Sequence, residues 1–150
     1  MTEFTPEMAT DFVHQAVPAI GRLGVVVDAI SPGSVDLRVP IDGNANHMGT
    51  MYAGALFALA ELPGGLIPLA VLPPGRYTPI VTALDIQFLA AARSDVTLSA
   101  VMDPQDVMAL AGQVDTEGRA DFTLELVGRD SEGRTVITST GHYQLRPNRS

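Results

Sequence analysis

Residues 46–65 read NHMGTMYAGALFALAELPGG, and this stretch decides the fold because it predicts the central helix. A single carboxylate, Glu61, interrupts its apolar run. The apolar residues lie all round a helix, which predicts burial on most of its sides. Pro63 removes the backbone N–H that the Leu59 carbonyl would need, so the helix should open there. A buried carboxylate is costly unless it is paired, hydrogen-bonded or protonated. We therefore interpret Glu61 as a functional group.

The apolar segment that contains this stretch, Met51–Leu72, is long enough to cross a bilayer. However, a central glutamate is expensive in lipid, and the interruption at Pro63–Gly65 and the flanking amphipathic strands are typical of a soluble domain. The segment therefore predicts a buried core helix, and we expect no membrane partner.

The segments on either side of this helix predict an antiparallel sheet. A first helix over Pro6–Val17 should end at Pro18, and Pro104–Val114 fits either a helix or a bent strand. Alternating apolar residues and turn residues predict strands at Leu23–Ile30, Ser34–Ile41, Thr78–Ala90, Val96–Met102, Ala120–Gly128 and Arg134–Leu145. Short turns between consecutive strands favour an α+β fold with an antiparallel sheet wrapped around a long central α-helix, in one domain over residues 1–150.

Composition excludes several functional classes. The net charge of −8 argues against nucleic acid, since binding to phosphates relies on basic residues and all nine here are scattered arginines. The chain has no cysteine and three histidines far apart, so we expect no metal and no cofactor. The N-terminus lacks a basic region followed by an apolar core, and we expect a cytoplasmic protein.

Two further features accompany Glu61: the N-terminus of the predicted helix and the loop before it. Gly54 lies seven positions earlier, almost two turns, and so on nearly the same face. Free N–H groups at the helix N-terminus favour a developing negative charge, as an oxyanion site requires. Asn46 and His47 lie in the loop that enters this terminus and can hydrogen-bond a water, a carbonyl or Glu61. The set suits water attack on an acyl group, direct attack by Glu61, or proton transfer next to a carbonyl.

Residues 46–61 resemble the signature of hotdog-fold acyl-CoA thioesterases of the phenylacetic-acid-pathway and human thioesterase-superfamily type. The shared pattern is an Asn, then Gly-Thr, a His-Gly-Gly, and a Leu-Ala-Asp or Leu-Ala-Glu on the central helix. Tyr52 stands at the position of the His and Ala53 at that of the first Gly. The stretch is also similar to the thioesterase-like domain found at the C-terminus of some acetyltransferase-like proteins.

The resemblance implies a role for each matching residue. Glu61 would be the general base or nucleophile, Asn46 would hold the water or carbonyl, and the Gly54 N–H would belong to the oxyanion site. His47 is the neighbouring polar candidate. Thr82, at the start of the long strand after the helix, would assist.

The resemblance further implies hydrolysis of an acyl-CoA-type thioester, with the CoA thioester as substrate. Family geometry and the edge strand of an open sheet predict a homodimer or homotetramer. Two alternatives stay open: a non-catalytic module that binds an acyl thioester or a hydrophobic ligand, and a 3-hydroxyacyl thioester dehydratase or hydratase. The second is considered because the separation of His47 from Glu61 is similar in those enzymes.

Overall fold

A computed structural model describes residues 3–149 as five helices and six strands. The helices are α1 Pro6–Ala16, α2 Pro18–Leu23, α3 Ala53–Glu61, α4 Pro63–Val71 and α5 Pro104–Glu117. The strands are β1 Val26–Ser31, β2 Ser34–Val39, β3 Tyr77–Phe88, β4 Val96–Val101, β5 Ala120–Arg129 and β6 Thr135–Pro147. These elements confirm the predicted α+β class.

The strands form one antiparallel sheet in the order β1-β2-β4-β5-β6-β3. Side chains along β2, β4 and β5 alternate between buried and more exposed, so one face of the sheet is covered. Helices α3 and α4 contact that sheet through β2, β3, β4 and, for α3, β6. A sheet wrapped around a central helix is the arrangement that the sequence pattern predicted, and it is the hotdog fold that the family resemblance implied.

The central helix runs over Ala53–Val71 and is interrupted once. Leu62 keeps helical backbone angles, but Pro63 has no N–H, and the Gly65 N–H bonds to the Leu62 carbonyl at 3.1 Å. By length and composition the helix could cross a membrane, yet 56% of its most apolar window is buried inside the protein. Leu59 and Ile67 are fully buried, so the helix occupies the position of a core helix.

One local prediction, the start of the first strand, was wrong, and one open alternative is resolved. The strand predicted from Leu23 begins only at Val26, because Pro18 starts a second helix that ends at Leu23. Gly24 then closes this helix in the left-handed region, at φ 73°. The alternative left open for Pro104–Val114 is resolved as a helix, since Asp103 accepts a hydrogen bond from the Gln105 N–H and caps it.

Candidate active site

Glu61 is the last residue of α3 and lines a cavity of about 620 Å³. The walls come from α1, the α3–α4 junction, α4, the turn after α4 and the start of β3. They are mostly apolar, with Phe12, Val17 and Leu69 among them, and Glu61 is the one charged residue in the lining that residues 3–149 form. The side chain that looked misplaced in the sequence therefore borders an apolar cavity.

Burial raises the pKa of the Glu61 carboxyl above its ordinary value of 4.5. The cause is desolvation, which disfavours the charged form, and it is the one cause that contributes to the shift. A carboxylate with a raised pKa is a stronger base than an ordinary one.

Tyr143 on β6 is a neighbour of Glu61 that the sequence analysis missed. Its hydroxyl donates to the backbone carbonyls of Ala60 at 3.4 Å and Glu61 at 3.3 Å. Burial, and after it the charge of Glu61, raises the pKa of Tyr143 to about 12. No local signal in the sequence pairs positions 61 and 143, because only the sheet brings β6 beneath the helix.

Asn46 organises the loop before α3. Its side-chain oxygen accepts hydrogen bonds from the N–H groups of Met48 at 2.9 Å and Thr50 at 3.1 Å. Its amide nitrogen lies 2.9 Å from the Thr50 hydroxyl. Asn46 and Thr50 line a second cavity, next to the end of β3, whose lining does not include Glu61. Within one chain, Asn46 and Glu61 thus border different cavities.

The other two polar candidates also lie apart from the Glu61 cavity. His47 is exposed on the same loop as Asn46. Thr82 falls at an irregularity of the β3–β6 ladder, and its hydroxyl donates to the His142 carbonyl at 3.1 Å. Neither residue belongs to the lining of the cavity that contains Glu61.

The N-terminus of α3 presents two backbone N–H groups, those of Ala53 and Gly54, that could serve as donors to a ligand. Ala55 and Leu56 donate to the Tyr52 carbonyl, at 3.0 Å and 3.3 Å, whereas Ala53 and Gly54 have no hydrogen-bond acceptor within residues 3–149. A Cβ atom added at Gly54 would overlap the Tyr52 ring, so the ring rests on this glycine. Tyr52 is 56% exposed and can move aside.

Gly54 and Glu61 are not neighbours along the helix of one chain. A rise of 1.5 Å per residue over seven residues separates them by about 10 Å along the helix. Their shared face, which the sequence predicted, therefore does not bring them into contact. Among residues 3–149, no three or more His, Asp or Glu side chains form a group that could hold a metal ion.

The sequence matches, over residues 6–145, a family described as a domain of unknown function, DUF4442. No curated protein matches the chain. Among solved structures, PA5026 from Pseudomonas aeruginosa, a protein of unknown function and probable thioesterase, is 38% identical with a TM-score of 0.87. The alignment covers 94% of this chain and 95% of that one.

More distant structures share the fold. The thioesterase HI1161 from Haemophilus influenzae is 19% identical with a TM-score of 0.76, and the alignment covers 99% of this chain and 95% of that one. A protein of unknown function from Chlorobaculum tepidum is 16% identical with a TM-score of 0.81, covering 97% and 99%. The resemblance to hotdog thioesterases drawn from residues 46–61 is thereby confirmed.

Proposed function

Since this chain belongs to the DUF4442 family and shares the hotdog fold with solved thioesterases, we propose that it hydrolyses an acyl thioester of the acyl-CoA type. The observation that carries the proposal is Glu61, a carboxylate with a raised pKa and, among the described residues, the one charged group in the wall of an apolar cavity. Such a group is costly to bury and useful as a base.

In the proposed reaction Glu61 acts as general base. It takes a proton from a water whose oxygen bonds to the acyl carbon, and the carbonyl oxygen becomes an oxyanion. When the tetrahedral intermediate collapses, the carbon–sulfur bond breaks and the thiolate leaves with the proton that Glu61 had accepted. The products are a carboxylic acid and a free thiol, and Glu61 is restored.

The apolar group of the substrate would fill the cavity beside Glu61. A volume of about 620 Å³ lies within the range of small-molecule sites, and its apolar walls favour an alkyl or aryl chain. Each buried methylene contributes about 0.8 kcal/mol, which corresponds to roughly a fourfold gain in kcat/KM per added carbon until the cavity is full.

The oxyanion site would come from a second copy of the chain. The N–H groups of Ala53 and Gly54 have no acceptor within residues 3–149, but they lie about 10 Å along the helix from the Glu61 of their own chain. Strand β3 forms one edge of the sheet and exposes Ile80, Val81 and Phe88, which favours pairing with another β3. A dimer could therefore bring the helix N-terminus of one copy to the Glu61 of the other.

The test is a hydrolysis assay on saturated acyl-CoAs of increasing chain length and on an aryl-CoA. We expect turnover by the wild type, a loss of at least a hundredfold in kcat for Glu61→Gln, and wild-type rates for Glu125→Gln. Glu125 is an exposed glutamate on β5 and serves as the matched control. Hydrolysis that survives Glu61→Gln unchanged would show that Glu61 is not the base.

A binding module is the second candidate, and the Tyr52 ring favours it because the ring lies against Gly54, beside the proposed oxyanion site. Thermal shift with CoA and with acyl-CoAs, measured beside turnover, separates the two functions. Stabilisation by acyl-CoA without hydrolysis would support the module. Hydration of an enoyl-CoA in the same panel would instead indicate a hydratase.

A further inference from the structure

The central helix loses a regular hydrogen bond at the residue that carries the carboxylate. In an unbroken helix the Glu61 carbonyl would accept from the Gly65 N–H, but that N–H donates to Leu62 at 3.1 Å. Pro63, which has no N–H, leaves the Leu59 carbonyl without its regular partner at the same break. A carbonyl in this interior needs another partner, since an unpaired buried acceptor is destabilising.

Tyr143 supplies that partner from the sheet. Its hydroxyl lies 3.3 Å from the Glu61 carbonyl and 3.4 Å from the Ala60 carbonyl, so one donor serves both. The ring is 2% exposed and stacks on Phe122 with centroids 5.2 Å apart. A side chain this enclosed has little freedom to move away from the helix.

Two glycines make room for the ring. A Cβ atom added at Gly64 would overlap the edge of the Tyr143 ring, and one at Gly141 would meet its hydroxyl end. Gly64 directly follows Pro63, so the residue pair that opens the helix also admits the side chain that closes the gap. The break, the two glycines and the tyrosine form one packed unit beneath Glu61.

We propose that Tyr143 is a positioning residue that holds the backbone of Glu61 at the helix break, so that the carboxylate faces the apolar cavity. The inference rests on the proposed function of Glu61 as a base. Tyr143 stays protonated and able to donate throughout the working range, because burial and the nearby Glu61 charge raise its pKa to about 12.

The kinetic test compares Tyr143→Phe, which keeps the ring and removes the donor, with the wild type. We expect kcat to fall about tenfold with KM within twofold, because the base is misplaced while the cavity is intact. In a Glu61→Gln background the same substitution should cause no further loss. The stability control is Ile137→Val, a buried change on β6 that should lower Tm by a similar amount and leave kcat unchanged. Equal kcat for Tyr143→Phe and wild type would overturn the inference.

A second readout does not depend on turnover. The pKa of Glu61 can be measured by a ¹³C NMR titration of the labelled carboxyl carbons of the six glutamates. The resonance that is missing in Glu61→Gln belongs to Glu61. We expect a raised pKa in the wild type and a fall toward the ordinary value in Tyr143→Phe, as the released backbone lets Glu61 reach solvent. An unchanged Glu61 pKa in that variant would refute the positioning role. An inactive wild type would refute the proposed function, and the titration would still decide the role of Tyr143.

Discussion

Glu61 links the stability of the protein to pH as well as to the proposed chemistry. Because burial raises its pKa in the folded state, the folded protein binds this proton more tightly than the unfolded chain does. The contribution to the free energy of unfolding is fully present below the unfolded pKa. It is lost as the pH rises through the folded pKa.

The neutral variant Glu61→Gln should remove this dependence. We expect it to raise Tm above that of the wild type at neutral pH, with the difference shrinking to nothing below the ordinary glutamate pKa of 4.5. Thermal melts from pH 3 to pH 8 measure it. The exposed Glu125→Gln should give no such pH-dependent gain, and a Glu61→Gln variant that is less stable than the wild type at neutral pH would contradict the expectation.

Two adjacent glycines in α4 should respond differently to the same substitution. A Cβ at Gly64 overlaps the enclosed Tyr143 ring, whereas a Cβ at Gly65 comes no closer than 4.0 Å to the Pro79 ring. We expect Gly64→Ala to lower the free energy of unfolding by about 1–3 kcal/mol through overpacking. Gly65→Ala should be neutral or stabilising by up to about 1 kcal/mol, because alanine favours a helix. Urea unfolding measures both, and equal effects would mean that Gly64 is not a packing site.

At the scale of the element, the two ends of α3 have different tasks in the proposed reaction. Its C-terminal end carries Glu61 beside the cavity, and its N-terminal end presents the N–H groups of Ala53 and Gly54, which have no acceptor in the described part of the chain. The break at Pro63 belongs to the first task, since it opens the helix where Tyr143 enters. About 10 Å along the helix separates the two ends, which favours a site in which two copies of the chain each contribute one of them.

The helix N-terminus can be tested by removing one donor. Gly54→Pro deletes the N–H, and proline is tolerated in the first turn of a helix. Gly54→Ala keeps the N–H and displaces the Tyr52 ring in the same way, so it is the matched control. We expect Gly54→Pro to lower kcat by about 100-fold and Gly54→Ala to have less than a fivefold effect. Equal losses in the two variants would attribute the effect to Tyr52 instead of to the donor.

At the scale of the whole molecule, the sheet has an edge that is apolar and long. Strand β3 extends over 12 residues, pairs only with β6 within residues 3–149, and exposes 51% of Phe88. A long exposed edge of this kind favours pairing with another strand. We expect Val81→Lys, in the middle of this edge, to yield monomers by light scattering and to abolish turnover. Val101→Lys, a change at a 73% exposed position on β4, should leave both unchanged.

Mixing two inactive variants tests whether a site spans two copies. Glu61→Gln and Gly54→Pro, mixed in equal amounts and allowed to exchange, should recover about a quarter of wild-type activity. Half of the dimers are then mixed, and each mixed dimer has one site with both groups intact. A site built within one chain would recover nothing, so the absence of recovery in a mixture shown to exchange would contradict the two-copy site.

The sequence determined the elements because their causes are local. Alternation and turn residues identified the strands, and the apolar run with Glu61 identified the core helix before any coordinates. The same local reasoning was wrong at Leu23, which it assigned to a strand. Pro18 in the first turn and Gly24 at the end favour a helix there, despite the apolar residues between them. It also named Asn46, His47, Gly54 and Thr82 as site residues, and their roles stay predictions.

Only the tertiary structure decided what surrounds Glu61. The cavity is built from α1, α4 and β3, and Tyr143 reaches the helix break across 82 residues of chain. Such contacts depend on strand register and on the position of the helix on the sheet. Neither produces a local pattern in the sequence. The pKa of a carboxyl likewise depends on how many protein atoms replace water around it. The sequence could therefore single out the glutamate, while packing set its burial, its partners and its distance from the helix N-terminus.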